Sequence, residues 1–324
     1  MKVRLALASL LLLHGASAFA QSSDVKNYPE RPVRFVVPWP AGGGTDIFAR
    51  AIGEKLHQAM GQPFLVENRP GASGNIGASS VAKSAPDGYT IMLATITLAT
   101  NPAFYKSLDF DATKDLAPVT LVAGSPHMLV VNAAVPVKNV KELIELAKKS
   151  PGKLSYASAG TGSPFHIAAE LFKQQAGVDI LHVPYKGGAP AVADVLGGHV
   201  QMAFANLVAV VAQSRSGQVR ALAVTTSKRS IAAPDVPTMA EAGLPNYDFA
   251  SWFGILVPAG TPPQIIDRLN VEIVKALRSP EISARLSEEG ADVIASSPAE
   301  FGAFLASETT KWKKVIGAAG IQPN

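Results

Sequence analysis

Val33-Arg34-Phe35-Val36-Val37 runs into Pro38-Trp39-Pro40-Ala41-Gly42-Gly43-Gly44, and the stretch from Thr45 to about Met60 follows with one apolar face. A short apolar run, a loop of small residues and an amphipathic segment read as strand, turn and helix. The same order returns twice. Leu154 to Ala157 leads through Ser158-Ala159-Gly160-Thr161-Gly162-Ser163-Pro164 into a helix ending near Gln175. Leu181 to Pro184 leads through Tyr185-Lys186-Gly187-Gly188-Ala189 into Pro190 to Leu196. Strands alternating with helices in this way predict parallel sheets and an α/β fold.

Other segments extend the pattern on both sides. Strands are expected at Phe64 to Glu67, Thr90 to Ala94, Val119 to Val122, Met128 to Val131, Gln201 to Ala205, Ala221 to Thr225 and Gly254 to Val257. Helices are expected at Gly74 to Lys83 and Val140 to Lys149. The C-terminal part is mostly helical, with Pro263, Pro280 and Pro298 at first helical positions, where the missing N–H costs nothing. Ser297 and Glu300 have the spacing of a capping box.

The apolar stretches Pro118 to Val131 and Phe249 to Pro258 lie far apart in sequence and read as paired crossings between two domains. Residues 28–122 with 251–324 then form one domain and residues 123–250 the other.

The N-terminus carries a leader pattern. Lys2 and Arg4 precede the apolar run Leu5 to Leu13, and Ala18-Phe19-Ala20 supplies a cleavage site after Ala20. The run is too short for a bilayer core that needs about 20 apolar residues. Export to the periplasm is the expectation. The sequence has no Cys, which excludes thiol catalysis and cysteine-ligated metal centres. A formal net charge of +4 without any Lys/Arg run interleaved with aromatics gives no footprint for nucleic acid.

A glycine-rich turn between a strand and a helix offers unpaired N–H groups and the positive end of a helix dipole, a natural seat for a carboxylate or a phosphate. Three such turns on one sheet edge would converge on a cleft between domains. Gly42-Gly43-Gly44-Thr45-Asp46 lacks the Lys of a P-loop. Gly71-Ala72-Ser73-Gly74-Asn75-Ile76-Gly77 departs from the dinucleotide fingerprint and reads as a turn. The mature chain's histidines show no metal-binding spacing, and no cofactor is expected. Trp39 and Trp252 read equally as cleft walls and as core.

The competing reading is a secreted α/β hydrolase with Ser158 or Ser163 as nucleophile, His166 as base and Asp46 or Asp194 as orienter. No Ser lies in a G-x-S-x-G elbow, and Ser163 stands where a helix cap is expected.

A set of ordered motifs spans the mature chain. It comprises Tyr28-Pro29-Glu30-Arg31-Pro32-Val33, Pro38-Trp39-Pro40-Ala41-Gly42-Gly43 with Asp46, and Glu67-Asn68-Arg69-Pro70-Gly71 with Gly74-Asn75-Ile76-Gly77. Pro86-Asp87-Gly88-Tyr89-Thr90, Gly160-Thr161-Gly162-Ser163 with His166, and Pro184-Tyr185-Lys186-Gly187 follow. Asp235-Val236-Pro237-Thr238 with Glu241-Ala242-Gly243 and Pro258-Ala259-Gly260-Thr261-Pro262 complete it. The chain resembles the substrate-binding receptors of tripartite tricarboxylate transporters, also called Bug-type receptors.

The resemblance implies a monomeric, two-lobed (type II, flytrap-like) periplasmic binding protein, each lobe a mostly parallel sheet flanked by helices, with two crossing strands as hinge. It implies a tri-, di- or aromatic monocarboxylate ligand and a separate membrane transporter as partner. It also places one ligand carboxylate on backbone N–H groups of Ala41 to Asp46 and Ser158 to Ser163. The expected ligand-binding residues are Trp39, Ala41, Gly43, Thr45, Asp46, Ser158, Thr161, Gly162, Ser163, His166, Lys186 and Gly187. Thr95, Thr97, Leu98 and Asn206, at strand ends, are candidates for the distal pocket. The main carboxylate donors are expected to be the amides around Gly43 and from Thr161 to Ser163.

Overall fold

The computed structural model describes residues 27–41, 44–288 and 291–318. The leader, its cleavage point and Gly43 lie outside them.

Strand β1 (Val33–Val37) buries Val33, Phe35, Val36 and Val37. A strand so continuously apolar must be covered on both faces, as in parallel α/β sheets. It pairs in parallel with β2 (Phe64–Asn68) and β3 (Thr90–Thr95). Helices α1 (Gly44–Met60), α2 (Asn75–Ala82) and α3 (Thr97–Phe104) follow these strands in turn.

The chain then enters one long strand, β4 (Leu116–Asn132). Beyond it come α4 (Val140–Lys149), β5 (Ser155–Ser158), α5 (Pro164–Ala176), β6 (Leu181–Pro184), α6 (Gly188–Leu196), β7 (Met202–Asn206), α7 (Leu207–Arg215) and β8 (Val219–Val224). Strand β9 (Ala250–Pro258) leads to α8 (Pro263–Leu277), α9 (Pro280–Glu288), the short β10 (Asp292–Val293) and α10 (Pro298–Ala318). The capping box starting α10 forms as its spacing predicts: the Glu300 N–H donates to Ser297 Oγ (3.3 Å), and the Ser297 N–H donates to Glu300 Oε2 (2.8 Å).

Two arrays of strands share one pattern. The first has the order β2-β1-β3-β9-β4, and the second the order β6-β5-β7-β4-β8. In each, three parallel strands are joined antiparallel to a crossing strand, β9 in one and β4 in the other. This is the two-lobed architecture of type II periplasmic binding proteins, with β4 and β9 as the crossings.

One expectation is corrected, and two helices are added. The strands expected at Val119 to Val122 and Met128 to Val131 are a single β4, which passes straight through Gly124-Ser125-Pro126. Pro126 cannot donate to a ladder, and it sits where no donor is needed: it is the last β4 partner of β9, and pairing with β7 starts at His127. The segments after Thr95 and Asn206, to which the sequence assigns no element, are helices α3 and α7. Helix α3 is buried nearly all round and contains Pro102, and α7 opens with the valine-rich, apolar run Leu207 to Val211. Neither carries the amphipathic stripe by which a surface helix is read.

Candidate ligand-binding site

A cavity of about 420 Å³ lies where the two arrays meet. Its floor comes from the crossing strands, with Ser125 of β4 opposite Ser251 of β9 in register and Trp252 and Phe253 beside them. Its rim comes from the ends of four strand-to-helix connections: Trp39 and Thr45 at the start of α1, Thr95, Ile96 and Thr97 at α3, Ala159 and Thr161 to Pro164 at α5, and Asn206 at α7. Ser73 completes the wall.

Every described residue lining the cavity is uncharged. The electrostatic bias is therefore set by four helix N-termini, each equivalent to about half a positive charge. The side chains add hydroxyls of Thr and Ser and the amide of Asn206, against apolar walls from the two indoles, Phe253 and Ile96. Ser125 Oγ donates to Asn206 Oδ1 (2.9 Å), joining the crossing strand to the N-cap of α7.

The connection before α5 is held from behind. Gly160 and Gly162 take φ values of +118° and +78°, a region that favours glycine. The Gly162 N–H donates to His166 Nδ1 (3.0 Å), and the Ser163 N–H donates to Gly160 O (3.1 Å). These two amides, expected as ligand donors, are thus engaged within the loop. The Thr161 N–H has no protein acceptor among the described residues. The His166 ring stacks on His182 (centroids 4.2 Å apart, 16° between planes), and His182 stacks on Tyr156 (4.9 Å). Burial, followed by the neighbouring His182, pushes the His166 imidazole down to about 4; burial also lowers His182.

Trp39, Thr45, Thr95, Thr97, Thr161, Gly162, Ser163 and Asn206 all line the cavity. The other expected residues that are described stand elsewhere, for local reasons. Asp46 is buried beneath the first connection, where its carboxylate accepts from Arg50 and from Asn68 Nδ2, and the same Asn68 amide donates to Trp39 O. Ser158 is buried with its Oγ 2.6 Å from His182 Nε2. His166 lies under the loop rather than in the cavity. Ala41 and Lys186 are exposed, and neither they nor Gly187 line the cavity.

The hydrolase set is not brought together. Ser163 Oγ accepts from the His166 backbone N–H (3.4 Å) as a helix cap, while the imidazole serves Gly162. Asp46 is tied to Arg50, and Asp194 accepts from Tyr185 Oη (2.5 Å).

Ser73, Ile96, Ser125, Pro164, Ser251 and Phe253 line the cavity without having been expected there. Ser125 and Ser251 were within reach, since a floor between domains must come from the crossing strands. Ser73 was within reach through its glycines. Gly71, Ala72, Ser73 and Gly74 have φ values of +126°, +47°, +54° and +92°. Four successive left-handed residues form a turn that costs about 1–2 kcal/mol at each non-glycine position. Asn101 Nδ2 secures it by donating to Ser73 O (3.0 Å) and Asn75 Oδ1 (2.7 Å).

Residues 48–321 match the model of the tripartite tricarboxylate transporter family receptor. The chain belongs to this family. It is 38% identical to the protein BugT of Bordetella pertussis over 318 residues, 98% of each chain. Among solved structures, it is similar to R. palustris Rpa4515 with adipate (40% identity, 92% of this chain and 100% of that one, TM-score 0.77). It is also similar to MatC from Rhodopseudomonas palustris with bound malate (33% identity, 89% and 100%, TM-score 0.74). The family is one of solute-binding receptors for carboxylates, in keeping with an uncharged cavity encircled by helix N-termini.

Proposed function

We propose that this protein is a periplasmic receptor that captures a small organic acid between its lobes and delivers it to membrane subunits of a tripartite tricarboxylate-type transporter, without turnover. The observation that carries this reading is the convergence of four helix N-termini on one uncharged cavity. Such a site favours an anion through dipoles and hydrogen bonds, each bond to a charged group worth about 1.5–3 kcal/mol net. The apolar walls suit a carbon skeleton, and the ring of hydroxyls suits a second polar end. The adipate and malate held by the two structural relatives make dicarboxylates the first class to test.

The lobes are taken as residues 28–122 with 251–324, and residues 123–250. Binding between them shifts the population toward a closed form. The leader pattern supports export.

Titration calorimetry of the mature protein with adipate, malate, citrate and benzoate tests the reading. The expected result is stoichiometric, reversible binding of at least one acid, unchanged acid on recovery, and a smaller radius of gyration by small-angle scattering when bound. No binding to any of the panel, or product formation that disappears in Ser163→Ala, would overturn it.

A further inference from the structure

We infer that His166 and His182 are positioning residues for ligand capture: as a stacked, neutral pair they hold the Ser158–Ser163 segment in the shape that presents Thr161 to the cavity. This rests on the carboxylate-receptor reading above. The segment contains two glycines at positive φ, and glycine surrenders more conformational freedom on ordering than any other residue. Left alone, such a loop would have to be ordered by the ligand at the expense of affinity.

The structure orders it from beneath. His182 Nε2 meets Ser158 Oγ at 2.6 Å, and Ser158 Oγ accepts the Gly160 N–H at 3.1 Å, which fixes the start of the loop. His166 Nδ1 accepts the Gly162 N–H at 3.0 Å, which fixes its end. The ring stack at 4.2 Å couples the two anchors. Thr161 lies between them, on the cavity.

The arrangement requires a neutral His166. A ring nitrogen accepts only when it carries no proton, and a proton on Nδ1 would face the Gly162 N–H donor to donor. The titratable and charged neighbours are His182 on β6, Tyr156 on β5, and Glu170 and Lys173 on α5 itself. Glu170 Oε1 is already paired with Lys173 Nζ (2.8 Å) and Tyr156 Oη (2.6 Å), so the local charge is balanced without an imidazolium. Two imidazoles at stacking distance also oppose each other's protonation. Acid is therefore expected to release the end of the loop as His166 takes up a proton, near pH 4.

The test separates the clamp from the ligand. In ¹⁵N-labelled wild-type protein at pH 7, a scalar coupling across the hydrogen bond should link the Gly162 amide nitrogen to His166 Nδ1, a measurement that needs no variant and no ligand. His166→Phe keeps the ring stack and removes the acceptor. It should speed exchange of the Gly162 amide at least tenfold and weaken adipate binding at least tenfold, with a melting temperature close to that of wild type. His166→Asn, whose Oδ1 takes the place of Nδ1, should restore most of both and remove the loss of Gly162 protection on acidification. Absence of the coupling, or a Gly162 amide as protected in His166→Phe as in wild type, would overturn the inference. So would wild-type affinity for adipate in His166→Phe. If wild-type protein does not bind adipate, the amide measurements still decide the clamp, and the choice of ligand fails separately.

Discussion

Trp252, on the crossing strand beneath the cavity, donates its indole N–H to Glu308 of the last helix at 3.3 Å, and the same carboxylate oxygen accepts from Trp312 at 2.7 Å. Both indoles and the carboxylate are buried, and Lys311 closes the group through the second carboxylate oxygen (3.3 Å). Helix α10 is thereby fastened to the strand that forms the cavity floor.

Glu308→Ala is accordingly expected to leave two buried indole N–H groups without an acceptor. Each such loss costs about 1–3 kcal/mol. A total near 3 kcal/mol corresponds to a melting temperature lower by roughly 6–12 °C, scaling from about 2–4 °C per kcal/mol in chains approaching this size. Glu308→Gln keeps a carbonyl oxygen and should lose less. Thermal unfolding of both variants checks this, and a Glu308→Ala variant that melts with wild type would show that the shared carboxylate contributes nothing.

Stability should fall in mild acid. His127 is buried between Phe165 and Phe249, its Nδ1 has no partner, and burial pushes it down to about 3. His166 lies near 4. Both stand below the ordinary value near 6.5, so the unfolded chain binds more protons between those limits. Their stabilising effect is complete above about pH 6.5 and is lost as pH falls toward 4, by up to about 1.4 kcal/mol per pH unit for each group. Carboxylates held low by partners, such as Asp111 and Glu67, add their own loss only from about pH 5 downward, so the decline between about pH 6.5 and 5 belongs to the histidines. Melting temperatures between pH 8 and pH 4.5 should be level and then decline, with a shallower decline in His127→Leu. A level profile throughout would contradict this account.

The units legible in the sequence were those with a clean period. Val33 to Val37, buried on both faces, and the amphipathic α4 announced themselves through hydrophobic pattern alone. Helix α3 was hidden because its polar residues, Thr97, Thr100 and Asn101, are buried with its apolar ones. Pro118 to Val131 was legible as one extended crossing, but Gly124-Ser125-Pro126 made it read as two strands, because the backbone changes partners there without turning. At the site, small residues and glycines marked the rim, but the fate of individual amides is a tertiary fact. The Gly162 N–H is claimed by a histidine whose position depends on the stack with β6, and nothing in the local sequence shows that.

The left-handed turn at Gly71 to Gly74 gives a case where stability and binding should separate. Ser73→Gly relieves about 1–2 kcal/mol of backbone strain, while the added freedom of the unfolded chain offsets about 0.4–1 kcal/mol of it. The variant should be as stable as wild type or slightly more so. It removes a hydroxyl from the cavity wall and the acceptor of Tyr105 Oη (3.2 Å), so affinity for the bound acid should fall about three- to tenfold. Parallel unfolding and calorimetric titrations make the comparison, and unchanged affinity would remove Ser73 from the site.

The last expectation concerns charge at the rim. If the α5 N-terminus receives a ligand carboxylate, a carboxylate built into the protein there should take its place. Thr161 is exposed, lines the cavity and lies just before the helix, so Thr161→Asp is accommodated without repacking. An acidic side chain near a helix N-terminus adds about 0.3–1 kcal/mol of stability, and the fold should tolerate or welcome it. Binding should respond in the opposite sense. The ligand would lose the dipole and meet a like charge at the rim of the cavity, and affinity for adipate should drop at least a hundredfold, about 2.7 kcal/mol. Thr161→Asn, neutral and similar in size, should stay within a few-fold of wild type. Lys186→Ala should also bind nearly normally, because Lys186 is exposed and is not among the residues lining the cavity. Calorimetry on the three variants, with melting curves to confirm the fold, decides the matter. Near-normal binding in Thr161→Asp together with loss in Lys186→Ala would place the anion on a side-chain cation and not on the start of α5.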